Sequence, residues 1–162
     1  YGKTSLLRRV LHDASREGWA AVYVDFFGVL TLADVAQRIE RAYAEQLPGR
    51  LASWFSGVRR MLRPTVRAGG GPVPGALEVT LDPQAEPPLL DRLALPRRLH
   101  ERHGQRALVV FDEFQDVLAA QDRADAISRS EIQHHGDAAS YVFSGSHLGM
   151  MRELFDDRRR AF

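Results

Sequence analysis

Tyr1-Gly2-Lys3-Thr4-Ser5-Leu6-Leu7 opens the chain, and the fold is decided by how this stretch is read. Gly-Lys-Thr leading at once into a helix-like run matches the second half of the phosphate-cradling loop G-x-x-x-x-G-K-[ST]. In such a loop, backbone N–H groups and the N-terminus of the adjoining helix hold phosphate oxygens. Gly2 permits close backbone approach. Lys3 neutralises the β- and γ-phosphates, and Thr4 supplies a hydroxyl ligand to Mg²⁺. Tyr1, Gly2, Lys3, Thr4 and Ser5 are therefore the candidate nucleotide-binding residues. The strand and first glycine of such a loop are missing ahead of Tyr1, so the sequence is expected to be a fragment of a larger protein. The tripeptide alone occurs by chance in many chains, so its meaning depends on the residues downstream of it.

Those residues have the right rhythm. Leu6, Leu7, Val10 and Leu11 fall at helical spacing, with Arg8, Arg9 and Arg16 on the other face, which predicts a helix from Thr4 to Glu17. Ala20–Phe26 is a near-continuous apolar run, as in a strand covered on both faces. Thr31 can cap the next helix, with Asp34 in the capping-box position and Pro48-Gly49 as the stop. Arg50–Leu62 reads as a shorter helix. Thr65–Arg67 and Ala76–Thr80 flank a Gly- and Pro-rich turn, which predicts a small β-hairpin insertion at about 63–82. No Lys-Ser/Thr and no helix come after those glycines, so they are not a second phosphate loop. A helix from Pro87-Pro88 to Arg102 is expected to kink at Pro96. Ala107–Phe111 and Ala139–Phe143 read as strands, with helices at 123–135 and 148–155. Strands alternating with helices imply a parallel sheet with helices on both faces.

The second chemical signal is Leu108-Val109-Val110-Phe111-Asp112-Glu113-Phe114-Gln115. Four apolar strand residues ending in Asp-Glu form a Walker B pattern, in which Asp112 holds Mg²⁺, directly or through water, and Glu113 orients and polarises the attacking water. A third element is Ser144-Gly145-Ser146 after the strand Tyr141-Val142-Phe143. Ser144 or Ser146 can reach a γ-phosphate or the water, with Ser144 preferred. The alternative for Ser146 is capping of the next helix. Asp25 also ends a strand, but no G-x-G-x-x-G accompanies it, and it reads as structural or helix-capping. His134 and His135 lack a third ligand, and Trp19 and Trp54 read as packing. Arg59, Arg60, Arg63 and Arg67 read as a solvated basic face rather than a nucleic-acid surface. Nothing assigns Arg129 or the Arg158–Arg160 run as an arginine finger.

The bulk properties set outer limits. In 162 residues, with 44% hydrophobic and 27% charged, there is room for one domain with a real core. The formal net charge of +1 creates no global field that would attract nucleic acid. The absence of cysteine excludes a disulfide framework and thiolate metal sites. No apolar run approaches the roughly 20 residues that span a bilayer. A cytoplasmic location suits this composition, and no membrane association is expected.

The set YGKTSLL, VVFDEFQDV and EIQHHGDAASYVFSGSHLGMMRELF resembles the archaeal-type ATPase family, a branch of AAA-like, STAND-related P-loop ATPases. The resemblance runs from residue 1 to about residue 155. It implies an additional-strand P-loop NTPase, a three-layer α/β/α core with a parallel sheet. The first strand would be missing, and the hairpin at 65–80 would be the family's insertion. It implies ATP with Mg²⁺, hydrolysis through Glu113, and Gln115 beside it positioning water or relaying the γ-phosphate state. The preference for ATP over GTP rests on this resemblance. Family members continue into a further strand, an arginine segment and a C-terminal domain, through which a protein partner or a second copy would act. The resemblance also implies that the Ser144 strand is left at an exposed edge here. The 162-residue piece is therefore expected to bind ATP poorly, and micromolar affinity would overturn that. Two alternatives accompany the ATPase reading: a nucleotide-dependent regulatory switch with little turnover, and the ATPase module of a DNA-associated loader. A small-molecule kinase would want a lid and an acceptor pocket, whereas the Asp-Glu pair suits water activation.

Overall fold

Three short runs of β-branched and aromatic residues form three parallel strands, β1 (Ala20–Asp25), β2 (Ala107–Asp112) and β3 (Ala139–Phe143). The computed structural model describes residues 2–61, 88–120 and 124–146. The strand order is β1-β2-β3. Register aligns Ala20 with Ala107, Asp25 with Asp112, and Phe111 with Phe143. The C-terminal ends of all three strands thus finish at one end of the sheet.

The helices divide between the two faces. On one face lies α1 (Lys3–Arg16), whose Leu7 and Leu11 pack against Leu108 and Val110. The other face carries α2 (Leu32–Gln46), α3 (Gly49–Met61), α4 (Pro88–Leu93), α5 (Leu95–His103), α6 (Phe114–Ala120) and α7 (Ala124–Ile132). Their apolar side chains meet Val22, Val24, Val109 and Phe111 in the larger core. The chain is therefore α/β in three layers, as expected. The described helices of both crossovers, β1 to β2 and β2 to β3, lie on the same face, as same-handed connections moving one way across a sheet must.

Central β2 is buried at all six positions, as its apolar run predicts. For β1 the expectation of full cover on both faces is corrected. Ala20, Val22 and Val24 are buried, but Ala21 and Tyr23 are half-buried and Asp25 is exposed. Among the described residues, the α1 side of this outer strand is covered by α1 alone. The capping box on α2 forms as read: Asp34 N–H donates to Thr31 Oγ1 at 3.1 Å, and Thr31 N–H donates to the Asp34 carboxylate at 3.0 Å.

Two helical expectations need correction. The kinked helix expected up to Arg102 is two helices, α4 and α5, broken at Ala94. Pro96 has no N–H and its ring clashes with the carbonyl four residues back, so it is tolerated only in a first turn. The last bond of α4, Ala94 N–H to Leu90 O, gives way to Arg98 N–H to Ala94 O. The helix expected at 123–135 stops at Ile132, leaving Gln133 and His134 in a turn. In front of it lies α6, unexpected from the sequence, with Phe114 and Val117 one turn apart and buried.

An aromatic cluster sits beneath the strand ends. Phe111 stacks on Phe114 with centroids 6.0 Å apart, Phe143 meets Phe114 edge-on at 4.8 Å, and Phe26 lies 5.2 Å from Phe111. The hairpin expected at about 63–82 and the helix expected at 148–155 lie outside the described residues, as does the Arg158–Arg160 run. Among the described residues no helix is long and apolar enough to cross a membrane.

Thr31→Ala removes the side-chain half of the capping box and should lower stability by about 1 kcal/mol. Urea denaturation checks this, and an unchanged midpoint would mean that other contacts fix the start of α2.

Candidate functional site

Alternation along β2 puts Leu108, Val110 and Asp112 on the α1 face. The first two pack under α1, and Asp112, one step further, meets its N-terminal end. There the Lys3 ammonium lies 3.1 Å from Asp112 Oδ1 and 3.0 Å from Glu113 Oε1. Two motifs 110 residues apart in sequence thus share one ion cluster. Lys3 keeps 42% of its side-chain exposure, whereas Asp112 keeps 5%.

Glu113 has φ 52°, the one positive value at a non-glycine position among the described residues. A left-handed backbone costs a glutamate roughly 1–2 kcal/mol. The surroundings enforce it. Phe114 N–H donates to Ser144 O at 2.9 Å, the Phe114 ring is locked in the aromatic cluster, and Glu113 N–H donates to Asp112 Oδ1 at 3.0 Å. Glu113 Oε2 accepts from Gln115 Nε2 at 2.6 Å and from Ser146 Oγ at 2.7 Å. Buried Gln115 also donates to Asp116 Oδ1 at 3.2 Å and accepts from Ser146 N–H at 3.3 Å. Its amide is satisfied on every side.

Both candidate serines are in this network. The hydroxyl of buried Ser144 helps hold the Asp112 carboxyl down, and exposed Ser146 bonds Glu113. At the start of α1, Gly2 has φ 128° and no side chain caps the helix; its first internal bond is Leu6 N–H to Gly2 O at 2.9 Å. Thr4 and Ser5 are exposed in this uncapped first turn. Tyr1 lies outside the described residues. Asp25 accepts from Phe27 N–H at 2.9 Å, so it holds the turn after β1, while Thr31 caps α2.

The ionisation states reflect these contacts. Burial pushes the Asp112 carboxyl up, but hydrogen bonds from Tyr23, Lys3 and Ser144 outweigh it and hold it below its ordinary value. Hydrogen bonds from Ser146, then Gln115 and Lys3, hold Glu113 down. Partial burial works against the Lys3 ammonium, yet its bonds to Glu113 and Asp112 prevail and raise it. Burial, reinforced by the bond to Asp112, raises the Tyr23 phenol.

Two residues in this network escaped the sequence reading. Tyr23 donates from its hydroxyl to Asp112 Oδ2 at 2.6 Å. Asp116 Oδ2 accepts from Gly28 N–H at 2.8 Å, tying the loop after β1 to α6. Alternation alone puts Tyr23 on the face opposite Val22 and Val24, but only the β1–β2 register brings it to Asp112.

Other residues weighed in the sequence belong to the frame. His135 is buried against Tyr141 and Glu131, Trp19 carries the Arg106 guanidinium on its ring, and Arg59 pairs with Glu40. Trp54 packs against Phe55 and His103. Among the described residues no group of three His, Cys, Asp or Glu side chains is placed to hold a metal. An open groove of about 450 Å³, lined by Pro48, Arg50, Leu51, Arg102, His103 and Gln105, lies near the start of β2, away from the strand-end acids. Comparisons with family models, with curated proteins and with solved structures find no match.

The two depressed carboxyls stabilise the fold fully above their ordinary values of 3.8 and 4.5, and that stability is lost as pH falls through the lower folded values. Raised Lys3 contributes below its ordinary 10.5 and loses its contribution only as pH rises beyond it. Urea midpoints should therefore drop as the solution is acidified from neutrality to about pH 3. Lys3→Ala should flatten that slope, and an unaltered slope would show that the ion cluster does not form in solution.

Proposed function

We propose that this chain is the core of a P-loop ATPase of the additional-strand, AAA-like class, binding ATP with Mg²⁺ and activating water against the γ-phosphate. The observation that carries this reading is the Lys3 ammonium at the head of α1, within 3.1 Å of both strand-end acids. The cluster also lies outside the carboxyl ends of parallel strands, where open α/β sheets bind ligands.

The residues suit the implied groups. Lys3, Asp112 and Glu113 sum to one negative charge, and the two carboxylates offer hard oxygens, which Mg²⁺ prefers. Mg²⁺ is commonly held by one or two carboxylates together with substrate phosphates. The uncapped first turn of α1 leaves backbone N–H groups for phosphate oxygens. Thr4 and Asp112 would hold the cation, and Gly2, Lys3 and Ser5, with Tyr1, the phosphates. Bound ATP and Mg²⁺ supply the leaving group and neutralise its charge.

The chain's own groups do the rest. A glutamate carboxyl is ionised at neutral pH, and three donors hold that of Glu113 lower still. Its Oε2 stays with Gln115 and Ser146, which aim the group, while Oε1 accepts the water proton once Lys3 turns to phosphate. The Ser144 hydroxyl helps keep Asp112 ionised. A second reading, a regulatory switch with little turnover, is favoured by one observation. Both Glu113 oxygens are engaged, Oε1 by Lys3 and Oε2 by two donors, so leaving this state requires a rearrangement.

Turnover of Mg²⁺–ATP by the full-length protein separates the readings. Glu113→Gln should retain ATP binding and lower kcat by about 10²–10⁴-fold, and Lys3→Ala should lose binding. Binding without turnover in the wild type would favour the switch. No binding by the folded wild type would overturn both readings.

A further inference from the structure

We propose that Tyr23 is a positioning residue for the cation half of this site: its hydroxyl holds Asp112 Oδ2 and thereby leaves Oδ1 as the oxygen presented to the divalent cation. This inference rests on the nucleotide-site reading above.

The geometry has three parts. First, the two oxygens of Asp112 have different partners. Oδ1 receives Lys3 Nζ at 3.1 Å and Glu113 N–H at 3.0 Å, and Oδ2 receives the Tyr23 hydroxyl at 2.6 Å. When Lys3 turns to phosphate, Oδ1 loses its mobile partner, while the bond at Oδ2 comes from a residue fixed in the sheet. Short hydrogen bonds to an ionised carboxylate are among the stronger ones.

Second, the reach is specific to a long, rigid side chain. Tyr23 stands opposite Val110, so Asp112 is its diagonal neighbour on the same face. Diagonal positions lie about 7–8 Å apart, a span that aromatic side chains cover. Asp25 stands directly opposite Asp112, and like charges so placed repel. Asp25 is drawn off by Phe27 N–H, and the Tyr23 hydroxyl goes to Asp112.

Third, Tyr23 is itself clamped. Its N–H donates to Gln46 Oε1 at 2.8 Å and its carbonyl accepts from Gln46 Nε2 at 2.7 Å, on the outer edge of β1. The Gln46 side-chain amide stands in for a neighbouring strand at that point. The phenol therefore projects from a backbone bonded on both sides, and positioning groups behind a metal ligand act by this kind of rigidity.

The test is ATP binding by the full-length protein, in a Mg²⁺ titration and in EDTA, for wild type, Tyr23→Phe and Gln46→Ala. Tyr23→Phe removes one oxygen and keeps the ring. The Mg²⁺ concentration for half-maximal binding should rise about 10-fold or more, while ATP affinity in EDTA stays within about twofold of wild type, as a residue acting through Asp112 alone requires. Gln46→Ala, which loosens Tyr23 without touching Asp112, should shift the Mg²⁺ dependence in the same direction by a smaller factor. It carries the test if Tyr23→Phe does not fold. An unchanged Mg²⁺ dependence overturns the proposal. So does a parallel loss of affinity in EDTA, which would mark Tyr23 as a packing residue. If folded wild type binds no ATP under either condition, the nucleotide-site reading has failed and this inference falls with it.

Discussion

Asp112 ends a strand whose residues are all buried, and the arrangement around it is dictated by where that strand stops. A buried carboxylate without partners is too costly to retain. Here the Lys3 ammonium, the Tyr23 hydroxyl and the Glu113 N–H bond it, the Ser144 hydroxyl helps hold it down, and the Phe26 N–H donates to the Asp112 main-chain carbonyl at 3.0 Å. They come from α1, all three strands or their ends, and the loop after β1. The acid at the centre of the sheet thus draws distant parts of the chain to one point.

Much of this was legible in the sequence, for a physical reason. α1, the Thr31–Asp34 capping box and strands β2 and β3 depend on residues within one or two turns of each other, so local spacing reveals them. Lys3, Asp112 and Glu113 could be read as parts of one site, and they lie together, but nothing local signalled that the ammonium would bond both acids. Tyr23 was hidden because its partner is set by register, which no local pattern encodes. The half-exposure of β1 was hidden because it depends on what lies on each face. Helix α6 was too short to show a period, and the break at Ala94 was read as a bend because the sequence does not say which helix keeps Pro96.

The cluster also separates rigid parts from movable ones. Asp112 is held by strand-borne Tyr23 and Glu113 by buried Gln115 and by Ser146, whereas Lys3 sits exposed on a flexible stem at a helix end. Lysine carries its charge on four rotatable carbons and reorients readily. The Gln115 amide, satisfied on all sides, and the Asp116 bond to Gly28 extend the fixed part to the loop after β1.

The left-handed backbone at Glu113 sets folding against chemistry. Glycine would enter that conformation without steric penalty, and asparagine or aspartate would tolerate it better than glutamate does. Position 113 is thus occupied by a residue poorly suited to its own dihedral angles, held there by the hydrogen bond at Phe114 and by four packed aromatic rings. Loosening that packing would let the turn relax toward ordinary angles and swing the carboxylate away from Lys3. The hydrophobic cluster beneath the sheet's end is therefore also a spring under load, and its tightness sets the aim of the acid above it.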